Sequence, residues 1–266
     1  MTTLSTLNKF KKEGVKFTCL TCYDAMFARL MDKAQIDTIL IGDSLGMVVQ
    51  GHSSTLPVTI EDMVYHTANI ARSNEHALIL ADLPFMSYVT LPEAITNSRK
   101  LMQAGAQVIK IEGGSELCDL VTTLAQAGTP TCVHLGLTPQ LVNVFGGYKI
   151  QGRSDEAADK LLNDAQAVVG AGAALLVLEC VPAELAKKVT ESVEVPVIGI
   201  GAGADTDGQV LVMHDMLGMV HGRVPRFVHD FLTDERNTEH SIEGAFALYK
   251  QAVQEGSFPT KQHQFD

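Results

Sequence analysis

The chain alternates short, nearly unbroken apolar runs with longer stretches of helical spacing. Residues 17–23 (FTCLTCY), 38–41 (TILI), 77–81 (ALILA), 107–111 (QVIKI), 131–135 (TCVHL), 174–178 (ALLVL) and 197–200 (VIGI) read as strands, and a poorer eighth falls at 218–220. Between them, apolar residues recur at helical spacing over 25–34, 60–72, 92–104, 116–127, 155–169 and 182–190. Thr59 reads as the N-cap of the helix from 60, and Pro92 and Pro182 open theirs. Further helices are predicted at 208–213, near 227–232 and over 241–254. A short amphipathic helix is predicted at the N-terminus, with Leu4, Leu7 and Phe10 on one side. Strands that are apolar throughout, rather than alternating, belong to a parallel sheet covered on both faces.

A weak internal repeat fits that pattern. DKAQIDTILIGD, MQAGAQVIKIEG and VGAGAALLVLEC share a helix end, a small-residue turn, a strand and an acid near its end. Seven clear strands and one poor one fit a (β/α)8 TIM barrel, whose typical size is about 250 residues. A doubly wound open sheet would want a glycine-rich loop after the first strand, and the sequence there, YDAMFARL, holds no glycine. No linker-like stretch divides the chain. The expectation is one barrel domain over 1–266, with residues 1–16 as an extra N-terminal helix and 223–266 as C-terminal helices and tail.

Composition narrows the partners. A chain that is 46% hydrophobic and 19% charged can bury a sizeable core. A formal net charge of -11 argues against nucleic acid and against an anionic membrane surface. No apolar run is long enough to span a bilayer. The start, MTTLSTLNKFKKEG, lacks the apolar region of a secretory signal. Five scattered cysteines suggest reduced thiols in a cytoplasm-like compartment. Cys19 and Cys22 form a CxxC, but residues three apart on a strand point to opposite faces and cannot pinch one metal.

In such a barrel the active site lies at the C-terminal ends of the strands. Asp24, Asp43, Asp82, Glu112, His134 and Glu179 stand there in order. Single acids at strand ends are common caps, and Asp24 is expected to be one. Several around one rim repel unless a cation or a shared proton intervenes. Oxygen ligands without a Cys or His set point to a hard cation, most simply Mg²⁺, one per subunit. Asp43 and Asp82 have short side chains on neighbouring strands and are the expected ligands. Glu112 would ligate directly or through a water. Lys110 lies two residues before Glu112, on the same face, and is read as an ion-pair partner and as a cation for an anionic substrate. Glu179 closes an apolar strand and is suited to act as a general base; the alternative is a cap-like role before Pro182. His134 is open between substrate contact, satisfied core histidine and, less favoured, metal ligand. Gly199, Gly201 and Gly203 either form a phosphate-binding turn or allow close backbone packing. These residues describe a Mg²⁺-dependent barrel enzyme that removes a proton beside the carbonyl of a small α-keto acid.

GDSLGMVVQGHSSTLPVT, ADLPFMSY, VIKIEGG, HLGLTPQ, GGYKIQGR, LLVLECVP and PVIGIGAG followed by DGQVLVMHD resemble the ketopantoate hydroxymethyltransferase family, in its order, over about residues 17–231. The resemblance implies a barrel of the phosphoenolpyruvate/pyruvate type. It implies transfer of a one-carbon unit from the co-substrate 5,10-methylenetetrahydrofolate to 3-methyl-2-oxobutanoate (α-ketoisovalerate). The product would be 2-dehydropantoate (ketopantoate), formed through a Mg²⁺-stabilised enolate on the pathway to pantothenate and coenzyme A. It implies Mg²⁺ at Asp43, Asp82 and Glu112, substrate at Asp43, Ser44, Asp82 and Lys110, and Glu179 as proton acceptor. His134 is added to the substrate set from its own position. Family members are commonly cytoplasmic decamers. The alternatives are a Mg²⁺-dependent C–C or P–C lyase on the same kind of barrel and a non-catalytic keto-acid-binding barrel.

Overall fold

In a computed structural model, which describes residues 1–266 except His221, eight parallel strands close into a barrel in chain order. The strands are β1 (Phe17–Thr21), β2 (Thr38–Ile41), β3 (Leu78–Asp82), β4 (Val108–Glu112), β5 (Thr131–Gly136), β6 (Leu175–Glu179), β7 (Val197–Ile200) and β8 (Gly208–Leu211). Helices α1 (Leu4–Glu13), α2 (Ala25–Lys33), α3 (Leu45–Val48), α4 (Ile60–Ala71), α5 (Leu91–Ala104) and α6 (Cys118–Gln126) belong to the first half. Helices α7 (Val142–Phe145), α8 (Asp155–Gly170), α9 (Ala183–Ser192), α10 (Met213–Met216) and α11 (Ile242–Gln254) follow.

The helix starts follow local chemistry. The Thr59 hydroxyl accepts from the Asp62 backbone N–H, and the Asp62 carboxylate accepts from the Thr59 N–H, a reciprocal cap. Asp24 accepts from the backbone N–H groups of Met26 and Phe27, so it is the cap expected of it. Two buried clusters form. One fills the barrel, with Phe17, Cys19, Leu40, Leu80, Val108 and Val177 among its members; the other lies between barrel and helices. Cys19 belongs to the inner cluster and Cys22 to the outer, so the CxxC is split between faces, and all five thiols are free. Leu4, Leu7 and Phe10 of α1 pack on the inner cluster. Lys11, 2.7 Å from Asp207 just before β8, fastens α1 across the N-terminal mouth.

Three sequence expectations fail in the last third. The helix expected over 208–213 and the strand expected at 218–220 are replaced by β8 at Gly208–Leu211 and then α10. A Cβ on Gly208 would lie 2.6 Å from the Phe17 ring. Only glycine lets β8 pair there with β1, and that glycine hides the strand from a pattern search. The helix expected near 227–232 is absent. There the Asp230 carboxylate accepts from the backbone N–H groups of Leu232 and Thr233, a side-chain turn that competes with helix. Among the described residues, α11 is therefore the one α-helix of the C-terminal segment, with a 3-10 turn at Lys261–His263. No helix of the described residues is long and apolar enough to cross a membrane.

Candidate active site

Strand alternation builds the site. On β3, Leu78 and Leu80 point inward below Asp82; on β4, Val108 lies below Lys110 and Glu112; on β5, Cys132 lies below His134. The barrel interior is thus apolar at its base and ionic at its C-terminal mouth. Pairing sets Asp82 beside Lys110 and Glu112 beside His134. The Lys110 ammonium lies 3.0 Å from Asp82 Oδ1 and 3.4 Å from Glu112 Oε1. His134 Nδ1 lies 3.1 Å from Glu112 Oε1, and Nε2 lies 3.3 Å from Glu179 Oε2 without hydrogen-bond alignment. Just past β2, the Asp43 backbone N–H donates to Asp82 Oδ2 at 3.1 Å. The Ser44 hydroxyl is bonded to the Tyr23 hydroxyl at 2.9 Å. Asp43, Asp82, Lys110, Glu112 and His134 are each at most 6% exposed.

The ionisation states follow from that crowding. Burial, then the Asp82 and Glu112 carboxylates, push Asp43 well above the usual carboxylate range. Burial also raises Asp82, against the pull of Lys110. Burial would raise Glu112, but Lys110 and His134 overcome it and bring it down to about 2. Burial and Lys110 would lower His134, yet Glu112 and Glu179 hold it up at about 9, an imidazolium. Burial would lower Lys110, and three carboxylates keep it well above its ordinary value. Asp43, Asp82 and Glu112 therefore face two cations, and Asp43 carries the strain of the surplus.

That surplus, and an all-oxygen donor set, fit a hard divalent cation. The least engaged oxygens are Asp82 Oδ1, which has only the Lys110 ammonium at 3.0 Å, and the Asp43 carboxylate, which has Gln140 Nε2 as its one side-chain donor among the described residues. Glu112 is already engaged by Lys110, His134 and the Gln140 backbone N–H. Among the described residues, no three His, Cys, Asp or Glu side chains converge into a metal cage. Mg²⁺ does not need one, since it commonly takes one or two carboxylates and keeps several waters.

The structure brings Asp43, Ser44, Asp82, Lys110, Glu112, His134 and Glu179 to one mouth. The stretch after Asp43 begins with α3 and is anchored by buried Leu45, Thr55 and Val58, with most of the residues between them exposed. Close packing accounts for the glycine turn. A Cβ on Gly201 would meet Phe227 and Phe265 at 2.9 and 3.0 Å, and one on Gly203 would meet Ala183 at 2.7 Å. Sequence reasoning missed three residues. Gln140 Nε2 donates to Asp43 Oδ2 at 2.9 Å, the Tyr88 hydroxyl donates to Gln140 Oε1 at 2.7 Å, and Tyr23 holds Ser44. Gln140 and Tyr88 stand at the ends of two of the family-like motifs, HLGLTPQ and ADLPFMSY, which was the only signal for them. Beyond β6, Cys180 is a non-glycine residue at φ +49°, a strained position directly after Glu179.

Fold and mouth together define a (β/α)8 barrel with a buried acid–cation cluster where barrel enzymes work. Its topology is that of solved barrels. Phosphonopyruvate hydrolase in complex with oxalate and Mg²⁺ superposes with a TM-score of 0.62 at 13% identity, covering 80% of this chain and 81% of that one. 2,3-Dimethylmalate lyase, a PEP mutase/isocitrate lyase superfamily member, gives 0.58 at 18% identity, covering 79% and 81%. The family model for ketopantoate hydroxymethyltransferase matches residues 1–261. A 3-methyl-2-oxobutanoate hydroxymethyltransferase of Psychrobacter cryohalolentis is 87% identical over 265 residues, covering 100% of both chains. One of Acinetobacter baylyi is 60% identical, covering 100% of this chain and 98% of that one. The chain belongs to the ketopantoate hydroxymethyltransferase family.

Proposed function

We propose that this chain transfers a hydroxymethyl group to 3-methyl-2-oxobutanoate, taking the one-carbon unit from 5,10-methylenetetrahydrofolate and giving 2-dehydropantoate for pantothenate and coenzyme A synthesis. The observation that carries the reading is the buried Asp43–Asp82–Lys110–Glu112 cluster, in a chain matched end to end by relatives of that name. Asp43 and Asp82 would hold Mg²⁺, with Glu112 beside them. When bound, Mg²⁺ supplies Lewis-acid polarisation of the keto oxygen, which acidifies the neighbouring C–H. Lys110, held in place between Asp82 and Glu112, offers a fixed positive charge to the substrate's carboxylate. Ser44, oriented by Tyr23, donates a hydrogen bond to the same anion. Glu179 accepts the C3 proton at a carboxylate oxygen, and the electron pair left on the substrate attacks the one-carbon unit; the unit's two bonds to folate nitrogen break, water supplies the hydroxyl oxygen, and tetrahydrofolate leaves. His134, between Glu112 and Glu179, holds both acids in register and keeps a positive charge beside the reacting carbons. The same reading places the chain in the cytoplasm as a homo-oligomer, a decamer by family resemblance, which sedimentation tests.

The test is NMR of α-ketoisovalerate with Mg²⁺ in D₂O, run with and without methylenetetrahydrofolate. Wild-type protein exchanges the C3 proton in both arms and forms ketopantoate only with folate. Product formed without folate sinks the assignment. Glu179→Gln keeps Mg²⁺ and keto-acid binding and slows exchange by about 10²- to 10⁴-fold, the usual weight of a general base. Exchange at the wild-type rate in that variant removes Glu179 from the role.

A further inference from the structure

Gln140 lies in the connection between β5 and α8, in a 3-10 turn at Pro139–Leu141. Connecting segments run over protein surfaces, yet Gln140 is 4% exposed. Its side-chain amide and its backbone N–H are all engaged, and on different elements. Nε2 donates to Asp43 Oδ2 and to the Leu83 carbonyl, both at 2.9 Å. Its backbone N–H donates to Glu112 Oε2 at 3.0 Å. Its Oε1 accepts from the Tyr88 hydroxyl at 2.7 Å.

Tyr88 sets which way the amide faces. The Tyr88 oxygen accepts from the Glu112 backbone N–H at 3.3 Å, and its one proton has two acceptors in reach, the Glu112 carbonyl at 3.2 Å and, much closer, Gln140 Oε1 at 2.7 Å. A flipped amide would turn its oxygen toward a carboxylate and a carbonyl, two acceptors. The NH₂ group is thereby committed to Asp43. Among the described residues, Gln140 is the only side chain that donates to the Asp43 carboxylate. An acceptor buried among other acceptors is costly to leave unpartnered.

We propose that Gln140 is a positioning residue for the metal-binding acids: its amide fixes the Asp43 carboxylate, its backbone fixes Glu112, and Tyr88 fixes the amide. The inference rests on the Mg²⁺ reading above. It also makes the β5–α8 connection part of the site, because one residue of that connection spans the ends of β2, β3 and β4.

The test is calorimetric titration of Mg²⁺ into wild type, Gln140→Met and Tyr88→Phe, without substrate, beside thermal unfolding of each. Met keeps the length and removes both donors. Loss of a partner that orients a ligand usually costs about 10- to 100-fold in metal affinity, and that range is expected for Gln140→Met. Tyr88→Phe keeps the donors and frees the amide, so a smaller weakening is expected, in the same direction. In steady state, KM for α-ketoisovalerate falls back toward the wild-type value at saturating Mg²⁺ in both variants. An unchanged Mg²⁺ Kd in a folded Gln140→Met, with only the Tm lowered, overturns the proposal. If that variant does not fold, an unchanged Kd in Tyr88→Phe overturns it. Wild-type protein that binds no Mg²⁺ overturns the metal reading instead; Gln140→Met is then titrated with α-ketoisovalerate, and a wild-type Kd there overturns the positioning role as well.

Discussion

Gly136→Ala probes the joint between β5 and β6 that carries Glu179. Gly136 pairs with Glu179 and sits at φ +89°. A Cβ there would lie 2.4 Å from the Glu179 carbonyl oxygen and 2.7 Å from Val181 Cγ2. Neither is the free end of a flexible chain, so β6 must move. The Leu137 N–H to Glu179 carbonyl bond of 2.9 Å weakens with it. The left-handed backbone costs about 1–2 kcal/mol for alanine, and the clash adds roughly 1–3 kcal/mol as overpacking does. The sum, roughly 2–5 kcal/mol, lowers Tm by roughly 5–15 °C in a protein of this size. Displacing Glu179 by around 1 Å can cost on the order of 100-fold in rate. Gly14→Ala is the control. Gly14 has φ +68°, and a Cβ there would meet nothing within 4 Å, so it isolates the backbone cost of about 1–2 kcal/mol. Urea unfolding and the C3–D exchange assay read the two effects. If Gly136→Ala loses no more stability than Gly14→Ala and exchanges at the wild-type rate, the joint does not position Glu179.

Two further outcomes follow from charge. Lys110→Met leaves buried Asp82 and Glu112 without their shared cation and costs roughly 3–5 kcal/mol at neutral pH. Glu112 is held down from 4.5 to about 2 chiefly by Lys110 once burial is overcome, so this stabilisation is present above 4.5 and lost as pH falls through about 2. The gap between Lys110→Met and wild type therefore narrows as pH drops through that range; urea midpoints showing a constant gap refute the pairing. Asp215, in α10, is raised from 3.8 to about 6 by burial. A raised folded value means its contribution is present below 3.8 and lost as pH rises through about 6. Asp215→Asn is therefore expected to stabilise above that value, by about 1–2 kcal/mol after allowing for its partial exposure. The gain vanishes below about pH 4, and a gain independent of pH in thermal melts refutes burial as the cause.

The acids were legible because strand alternation and barrel geometry leave few places for them. Once β3, β4 and β6 read as apolar runs, Asp82, Glu112 and Glu179 had to stand at the mouth, and Lys110 had to share the Glu112 face. His134 could not be assigned, because its partners sit on β4 and β6 and its own strand says nothing of them. The Gly201–Gly203 turn stayed open for a similar reason. The groups that fill it, Phe227 and Phe265, come from far along the chain, and the Phe265 carbonyl is tied to the Ala183 N–H at 3.0 Å. Gln140 and Tyr88 lie in connections, where no period marks a buried residue. β8 was misplaced because the glycine that lets it pair with β1 is the residue that weakens its signal.

The charge at the mouth explains why such a costly arrangement is kept. Buried ions seldom stabilise a fold relative to apolar residues of the same volume, and this barrel already has an apolar interior below them. Asp43, Asp82, Glu112 and Glu179 against Lys110 and His134 leave two negative charges in excess, and Asp43, raised by burial and its acidic neighbours, is where a proton would relieve part of it. Under the proposed reading a divalent cation cancels that excess instead. The monoanion of an α-keto acid then enters a neutral cluster rather than one that repels it. Metal and substrate should therefore bind better together than apart, and by linkage each must raise the other's affinity by the same factor.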